Sequence, residues 1–412
     1  MISPRTAMRL VLGECVALAA RRVSIADALG LVVAEDVRAR IALPSFDNSS
    51  MDGYAVRARD TTRASVRRPA TLRIMGSVHA GAPRPRGLRP GEAMGIATGA
   101  PLPAGADAVV PFESAQTGDG RLRVVSPVPR WQYVRRRGEE VGVGAVVLPR
   151  GSVLHAGAVG SLSAFGCARV RAVPRPRVTV ITTGDETVMP GGPLPFGRVY
   201  DSNFVMLDAL LRQSGIVPAR MRHVRDAPAA LSRALREALT DSDVVITVGG
   251  VSVGRRDYVR DTLRENGVRQ VFWRVAQQPG KPLYFGRRGR RLVFGLPGNP
   301  VSAFVCFSVY VEPALAVLAG RGAATPRLER RLLGNAVNCD PLRWRLLRAR
   351  ELPDTSRLEV FARQGSHMST PLALASHLVM VPPRRPGSGR DVLAAGTRVS
   401  CIRLAHAREP RR

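Results

Sequence analysis

The sequence predicts a multidomain α/β plus β protein. Its centre is a doubly wound, mostly parallel α/β domain at 175–322. Before it lies an N-terminal helical region, 1–174, with an inserted β domain at about 53–135. After it come a small C-terminal β barrel, 326–406, and a basic tail, 407–412. Three observations carry this prediction. A chain of 412 residues is too long for one ordinary domain and long enough to bury about three cores. From residue 178 onward, apolar strand-like runs alternate with helical patterns, the order of βαβ units in a parallel sheet. On either side, short runs separated by Gly and Pro clusters replace that alternation.

Taken in order, the apolar spacing over 7–37 predicts two helices broken near 21–24, and the stretch Leu43-Pro44-Ser45-Phe46-Asp47-Asn48 cannot continue a helix. Over 53–135 the punctuation Ala80-Gly81-Ala82-Pro83 and Gly99-Ala100-Pro101 marks short strands, and 157–165 reads as a helix. After Pro174-Arg175-Pro176 a strand is expected at 178–182. A helix follows from about Asn203, with Phe204, Leu207, Leu210 and Leu211 on one face and Gly215 as its stop. A second helix starts with Asp226 near its cap and Pro228 in its first turn. Further strands are expected at 243–248, 270–276 and 292–294, with a helix from about Asp257 and a long apolar helix from Pro300. The segment 327–406 shows alternating runs of a small barrel or sandwich and no evident chemistry.

Composition excludes several classes. No apolar run reaches the roughly 18 residues of a membrane span and no signal-peptide pattern opens the chain, so a cytoplasmic protein without a membrane partner is expected. Five scattered cysteines without a CxxC pair argue against structural zinc and disulfides. A formal charge of +30 raises the prospect of a polyanionic partner. Yet the arginines run through every segment and aromatics are only 5%, which is poor for base stacking, so nucleic acid is not the expected partner. Of the 62 basic residues all but one are arginine, and the exception, Lys281, sits in the turn Pro279-Gly280-Lys281-Pro282. Lysine offers a compact point charge where arginine offers a planar fork, which makes Lys281 a candidate for a specific task.

In open α/β sheets ligands sit beyond the carboxyl ends of the strands. Four stretches lie there: Thr182-Thr183-Gly184-Asp185-Glu186, Gly249-Gly250-Val251-Ser252-Val253-Gly254, Gln277-Gln278-Pro279-Gly280-Lys281-Pro282 and Gly295-Leu296-Pro297-Gly298-Asn299-Pro300. Backbone N–H groups at such turns and at a helix start attract anions, by roughly 0.3 to 1 kcal/mol each before a lysine adds its charge. Asp185, Glu186 and Asp257 would repel that anion unless a divalent cation intervened, and hard oxygen ligands suit Mg²⁺; turn or helix capping is the open alternative for Asp185 and Asp257. In the first half, residues 44–56, the loop Thr98-Gly99-Ala100-Pro101 with its continuation to Asp107, and Val134-Arg135-Arg136-Arg137-Gly138-Glu139-Glu140 concentrate polar groups.

These stretches, in this order, resemble the molybdopterin molybdenumtransferases, the MoeA family that includes the gephyrin E domain. The most specific are Phe46-Asp47-Asn48-Ser49-Ser50-Met51-Asp52-Gly53-Tyr54-Ala55-Val56, Thr98-Gly99-Ala100-Pro101, the glycine turn 249–254 and Gly295-Leu296-Pro297-Gly298-Asn299-Pro300-Val301-Ser302-Ala303. The resemblance implies a molybdopterin-binding-type α/β domain, insertion of molybdate into adenylylated molybdopterin with Mg²⁺-dependent release of AMP, and a homodimer with its site shared between subunits. It implies functional polar positions at Asp52, Thr98, Glu186, Asp226, Asp257 and Lys281, with Glu186 and Asp257 handling metal or water. Cofactor-binding positions are implied at Gly184, Asp185, Gly249, Gly250, Ser252, Gly254, Arg274, Gly280, Pro297, Gly298, Asn299 and Pro300.

Three positions depart from the family pattern. Arg255 stands where relatives usually place an acidic residue, Gln278 where lysine or arginine is usual, and Glu140 where aspartate is usual. Exchanging a charge-assisted hydrogen bond for a neutral one at Gln278 costs about 1 to 2 kcal/mol, roughly tenfold in anion affinity, which Arg274 nearby is placed to offset. The departures leave open a paralogue that binds pterin or an oxyanion such as tungstate with weak or altered insertase activity.

Overall fold

The structure, a computed structural model, describes residues 1–251, 258–322, 328–353, 355, 357–384 and 391–404. Ser252, Gly254, Arg255 and Asp257 of the glycine turn therefore lie outside the described residues. The chain gathers into two compact units, one of Met1–Arg21, Gly30–Ala34 and Ala172–Arg412, the other of Arg22–Leu29 and Glu35–Arg171.

The first unit opens with α1 (Pro4–Gly13), whose N-cap Ser3 accepts from the Thr6 N–H. Its sheet is built from β1 (Val178–Thr183), β2 (Arg220–Val224), β3 (Val244–Val248), β4 (Arg269–Trp273), β5 (Tyr284–Arg288) and β6 (Arg291–Leu296). The strand order is β2-β1-β3-β6-β5-β4, with β2, β1, β3 and β6 parallel and β5 antiparallel to both its neighbours. Both faces of the parallel part are covered, which is why Val244-Val245-Ile246 are apolar without alternation. Val178, Val180, Val244 and Ile246 pack with Met8 and Val11 of α1, with Leu207 and Leu211 of α2 (Ser202–Gln213), and with α5 (Pro300–Leu318). On the other face Ile181 and Val245 meet Leu231 and Leu235 of α3 (Pro228–Asp241) and Leu263 of α4 (Val259–Glu265).

The doubly wound expectation holds, and four particulars of the sequence reading are corrected. Strand β5 was not expected, although Gly289 at φ +59° turns it back into β6 as a hairpin. The second N-terminal helix is absent: β-branched Val23, Val32 and Val33 lie in extended segments, Arg21–Ser24 and Val32–Val33, and Gly30 at φ +77° breaks the path between them. Asp226 does not cap α3, whose N-cap Ala227 has no side-chain bond; its carboxylate is drawn instead to Thr183. The helix α5 also corrects the reading of apolar runs, because by length and composition it could cross a membrane. Most of it is buried, so its apolar character serves the core.

A closed five-stranded barrel completes this unit. Trp344–Glu351 pairs with Arg357–Val360 and with His377–Val381, Leu328–Leu333 pairs with Arg357–Val360 and Arg398–Arg403, and Arg398–Arg403 pairs with His377–Val381. The second unit contains a six-stranded sheet, in the order Ala108–Pro111, Gly53–Val56, Glu92–Ile96, Ala70–Val78, Arg121–Val124, Gln116–Gly118. Its two faces bury Ala55, Met94 and Ile96 on one side and Val56, Leu72 and Leu122 on the other.

Candidate functional site

Pairing register brings the strand ends level. Thr182 stands beside Val248, and Val248 beside Leu296, so the turns that follow β1, β3 and β6 open at one edge of the sheet. Thr183 pairs with Val224 of β2, which brings Asp226 to the same edge. There they surround a cavity of about 680 Å³, in the usual range for small-molecule sites. Gly184, Glu186, Asp226, Gly249, Gly250 and the segment Pro297-Gly298-Asn299-Pro300 all line it.

Local chemistry explains the shape of this wall. Gly249 has φ +92°, and a Cβ there would lie 2.6 Å from the Thr183 carbonyl oxygen, so only glycine permits β1 and β3 to end this close. The Glu186 carboxylate folds over Gly184, where a Cβ would sit 3.0 Å from both of its oxygens. Asp226 accepts a hydrogen bond from the Thr183 hydroxyl, and the backbone N–H of Asp226 donates to Asp185 Oδ1 at 3.3 Å. Asp201, which is buried, caps α2 through the Phe204 N–H at 3.0 Å, and its other oxygen lies 3.3 Å from His223 Nδ1. Asn203 donates to the Gly298 carbonyl at 2.6 Å and so ties α2 to the turn before α5. The first turn of α5 has no side-chain cap, and the Asn299 amide nitrogen donates to Ser366 Oγ at 3.2 Å. The start of this helix stands at the cavity, where Asn299 and Pro300 are part of the lining.

The turn with the lone lysine stands beside this wall. Pro282 lines the cavity, Lys281 and Gln278 are exposed next to it, and the Lys281 ammonium has no hydrogen bond or ion pair among the described residues. Arg274 is held against an aromatic ring. Its guanidinium stacks on Trp273 at 3.9 Å from the ring centroid, Arg260 makes a second contact with the same ring at 3.6 Å, and Arg274 itself adopts φ +70°.

The second unit contains its own cluster. Asp52 Oδ1 accepts from the Thr98 N–H at 2.6 Å, Gly99 N donates to Ser49 O at 2.8 Å, and Arg137 N donates to Asp47 Oδ1 at 2.7 Å. The Thr98 backbone N–H, helped by its hydroxyl, holds the Asp52 carboxyl below the usual carboxylate range. Three motifs distant in sequence thus converge around a cleft of about 450 Å³ lined by Pro44, Asn48, Gly99, Arg135, Glu139 and Glu140.

Comparison with known proteins identifies the family. Residues 2–166 match the family described as "MoeA N-terminal region (domain I and II)", and residues 179–317 match "Probable molybdopterin binding domain". The chain is 39% identical over 305 residues to molybdopterin molybdenumtransferase 2 of Mycobacterium tuberculosis, covering 72% of this chain and 75% of that one. To molybdopterin molybdenumtransferase 1 of the same organism it is 36% identical, over 93% of this chain and 94% of that one. The chain belongs to the molybdopterin molybdenumtransferase family. The crystal structure of a molybdopterin biosynthesis MoeA protein from Pyrococcus horikoshii superimposes with a TM-score of 0.83 at 30% identity, covering 98% of this chain and 99% of that chain. The protein is therefore an enzyme of molybdenum cofactor biosynthesis.

Within this family frame, Glu186, Asp226, Gly184, Gly249, Gly250, Pro297, Gly298, Asn299 and Pro300 come together at one cavity. Asp185 is exposed outside the lining, and Gly280 faces the core, where a Cβ would meet Cys306 Sγ at 2.6 Å. Asp52 and Thr98 bond each other in the second unit. The sequence reading missed Asp201, Asn203, His367 and Ser369, all of which line the cavity. Asp201-Ser202-Asn203 has the signature of a helix N-cap and was legible; the barrel loop with His367 and Ser369 gave no signal before the fold placed it.

Proposed function

We propose that the protein inserts molybdate into adenylylated molybdopterin and releases AMP. The observation that supports this most directly is the cavity where carboxylates, glycine-turn amides and an uncapped helix start meet. An adenylylated pterin carries the phosphates that amides and a helix N-terminus favour. Molybdate, a compact dianion, suits the ammonium of Lys281 beside the same wall.

The donor chemistry also fits Mg²⁺. Among the described residues no group of three His, Cys, Asp or Glu side chains gathers for a metal, but Mg²⁺ keeps several waters and needs only one or two carboxylates besides substrate phosphate. Glu186 and Asp226 both line the cavity, and the Glu186 carboxylate has no hydrogen bond or ion pair among the described residues. Mg²⁺ held there would neutralise phosphate charge during cleavage of the adenylate. The chain's own part is to orient: Thr183 fixes Asp226, Asn203 fixes the Gly298 turn, and Asn299 leaves the helix start open.

We further propose that the protein works in the cytoplasm as a homodimer. The cleft of the second unit, with Asp52 and Thr98 beside it and the half-exposed Phe46 ring, supplies the opposing wall from a second copy. One observation favours a weaker enzyme: Gln278 is exposed and uncharged, and Arg274 is occupied with Trp273. The test is a pair of substitutions. Lys281→Ala raises the KM for molybdate about tenfold, and Gln278→Lys lowers it by a similar factor. Unchanged KM in both variants contradicts the placement of the oxyanion.

A further inference from the structure

Beneath the lysine turn lies a polar cluster buried in an otherwise apolar core. Gln277, Cys306 and Tyr310 are each 0% exposed. The Tyr310 hydroxyl donates to Gln277 Oε1, and the Gln277 amide donates to the Pro279 carbonyl at 3.1 Å and reaches the Gly280 carbonyl at 3.5 Å. The Cys306 thiol donates to that Gly280 carbonyl at 3.7 Å. The next carbonyl, of Lys281, accepts from Val275 N at 2.9 Å. Three consecutive carbonyls of the turn thus face inward, while Gln278 and Lys281 are exposed. Gly280, at φ +93°, is pressed against the cluster: a Cβ there would lie 2.6 Å from both Cys306 Sγ and Gln277 Nε2.

The other end of the cluster is equally defined. Tyr310 belongs to a π-helical segment, Phe307–Val311, inside α5. Such segments insert an extra residue into a helical turn and are found often at functional sites. Burial drives the Tyr310 phenol well above its ordinary pKa, so it remains a donor at every working pH. An amide left unpaired in this core would be costly, and both ends of Gln277 are satisfied.

We propose that Gln277 and Tyr310 are positioning residues for molybdate capture: anchored by Tyr310, the Gln277 amide fixes the 278–282 turn so that Lys281 meets the oxyanion. This deepens the insertase reading and rests on it. Neither side chain touches the cavity; they act through the turn.

The test compares the wild type with Tyr310→Phe, Gln277→Leu and the double variant Gln277→Leu/Tyr310→Phe, each with and without Lys281→Ala. Molybdate KM and equilibrium molybdate binding are both measured, with thermal midpoints confirming the fold. In the double variant both partners become apolar, which avoids a buried orphan and keeps the question answerable if a single variant does not fold. The expected result is a rise of about tenfold in molybdate KM and Kd with kcat held within about threefold. On the Lys281→Ala background the same substitutions add less than about twofold, because the partner they position is gone. Unchanged KM and Kd overturn the proposal, as does an equal rise on both backgrounds. A wild type that binds molybdate without turnover contradicts the insertase reading alone, and the binding ratios then still decide the role of Gln277. A wild type that does not bind molybdate overturns both.

Discussion

Glu186 and Asp226 share one cavity but differ in how they are held. Asp226 is anchored by the Thr183 hydroxyl, whereas Glu186 reaches back over Gly184 with its carboxylate otherwise free among the described residues. Glu186→Gln keeps that shape and removes the charge, so kcat/KM for insertion falls about 10²-fold or more while the thermal midpoint stays within about 2 °C. Steady-state kinetics beside a melting curve checks both. Gly249→Ala acts the other way: with φ +92° and a Cβ 2.6 Å from the Thr183 carbonyl, it costs about 1 to 3 kcal/mol in chemical denaturation. Such residues were legible early because each breaks a compositional or conformational habit of the chain. Lys281 is the one lysine among 62 basic residues, and paired glycines at a strand end signal a close approach. Arg274 was not legible in the same way, since nothing in its neighbours' identity says that its guanidinium stacks on Trp273.

Among the elements, the barrel loop that reaches the cavity depends on one buried arginine. Arg348 is 1% exposed and donates to the carbonyls of Met368, Arg363 and Gly365 and to Gln364 Oε1, at 2.6 to 3.2 Å. This loop leads to His367 and Ser369 in the cavity wall. Arg348→Met removes the donor from several part-buried acceptors and destabilises by about 2 to 4 kcal/mol, read from urea unfolding, with a loss of substrate affinity as the loop loosens. A second barrel group sets a pH dependence. Burial lowers the His377 pKa to about 4, against the pull of Glu329 and with the help of Arg331 and Arg403. The unfolded imidazole titrates near about 6.5, so between pH 6.5 and 4 the unfolded state holds more protons. Stability is complete above about pH 6.5 and falls by up to about 3 kcal/mol as pH drops through that window, and His377→Gln flattens the slope of midpoint against pH. Neither effect could be read from the barrel sequence, whose alternating runs predict strands but not which long-range carbonyls an arginine will meet. The missing N-terminal helix has a similar cause, because its apolar spacing fitted a helix while β-branched residues and Gly30 favoured extended chain. The α/β elements were legible because each carries its own stop, as Gly215 does at φ +76° after α2.

Across the whole molecule, each compact unit contains a cluster of its own, the cavity at the strand ends in one and the Asp52–Thr98 pair in the other. The homodimer proposed above has an expected mass of twice 44.3 kDa in sedimentation equilibrium. The +30 charge carries no comparable prediction, since arginines are spread through both units and pair locally, as Arg86 does with Glu92 at 2.7 Å and Arg350 with Glu359 at 2.7 Å. The order of motifs along the chain, more than any one of them, made the family visible in sequence; the spatial meeting of Pro44, Gly99 and Arg135 needed the fold. The most direct test of insertase activity is AMP released from adenylylated molybdopterin by the purified protein, with molybdate and Mg²⁺ varied independently. Stoichiometric AMP that requires both ions, with molybdenum retained on the pterin, is the predicted result. Tight binding of the adenylylated pterin without AMP release at any concentration of either ion contradicts it.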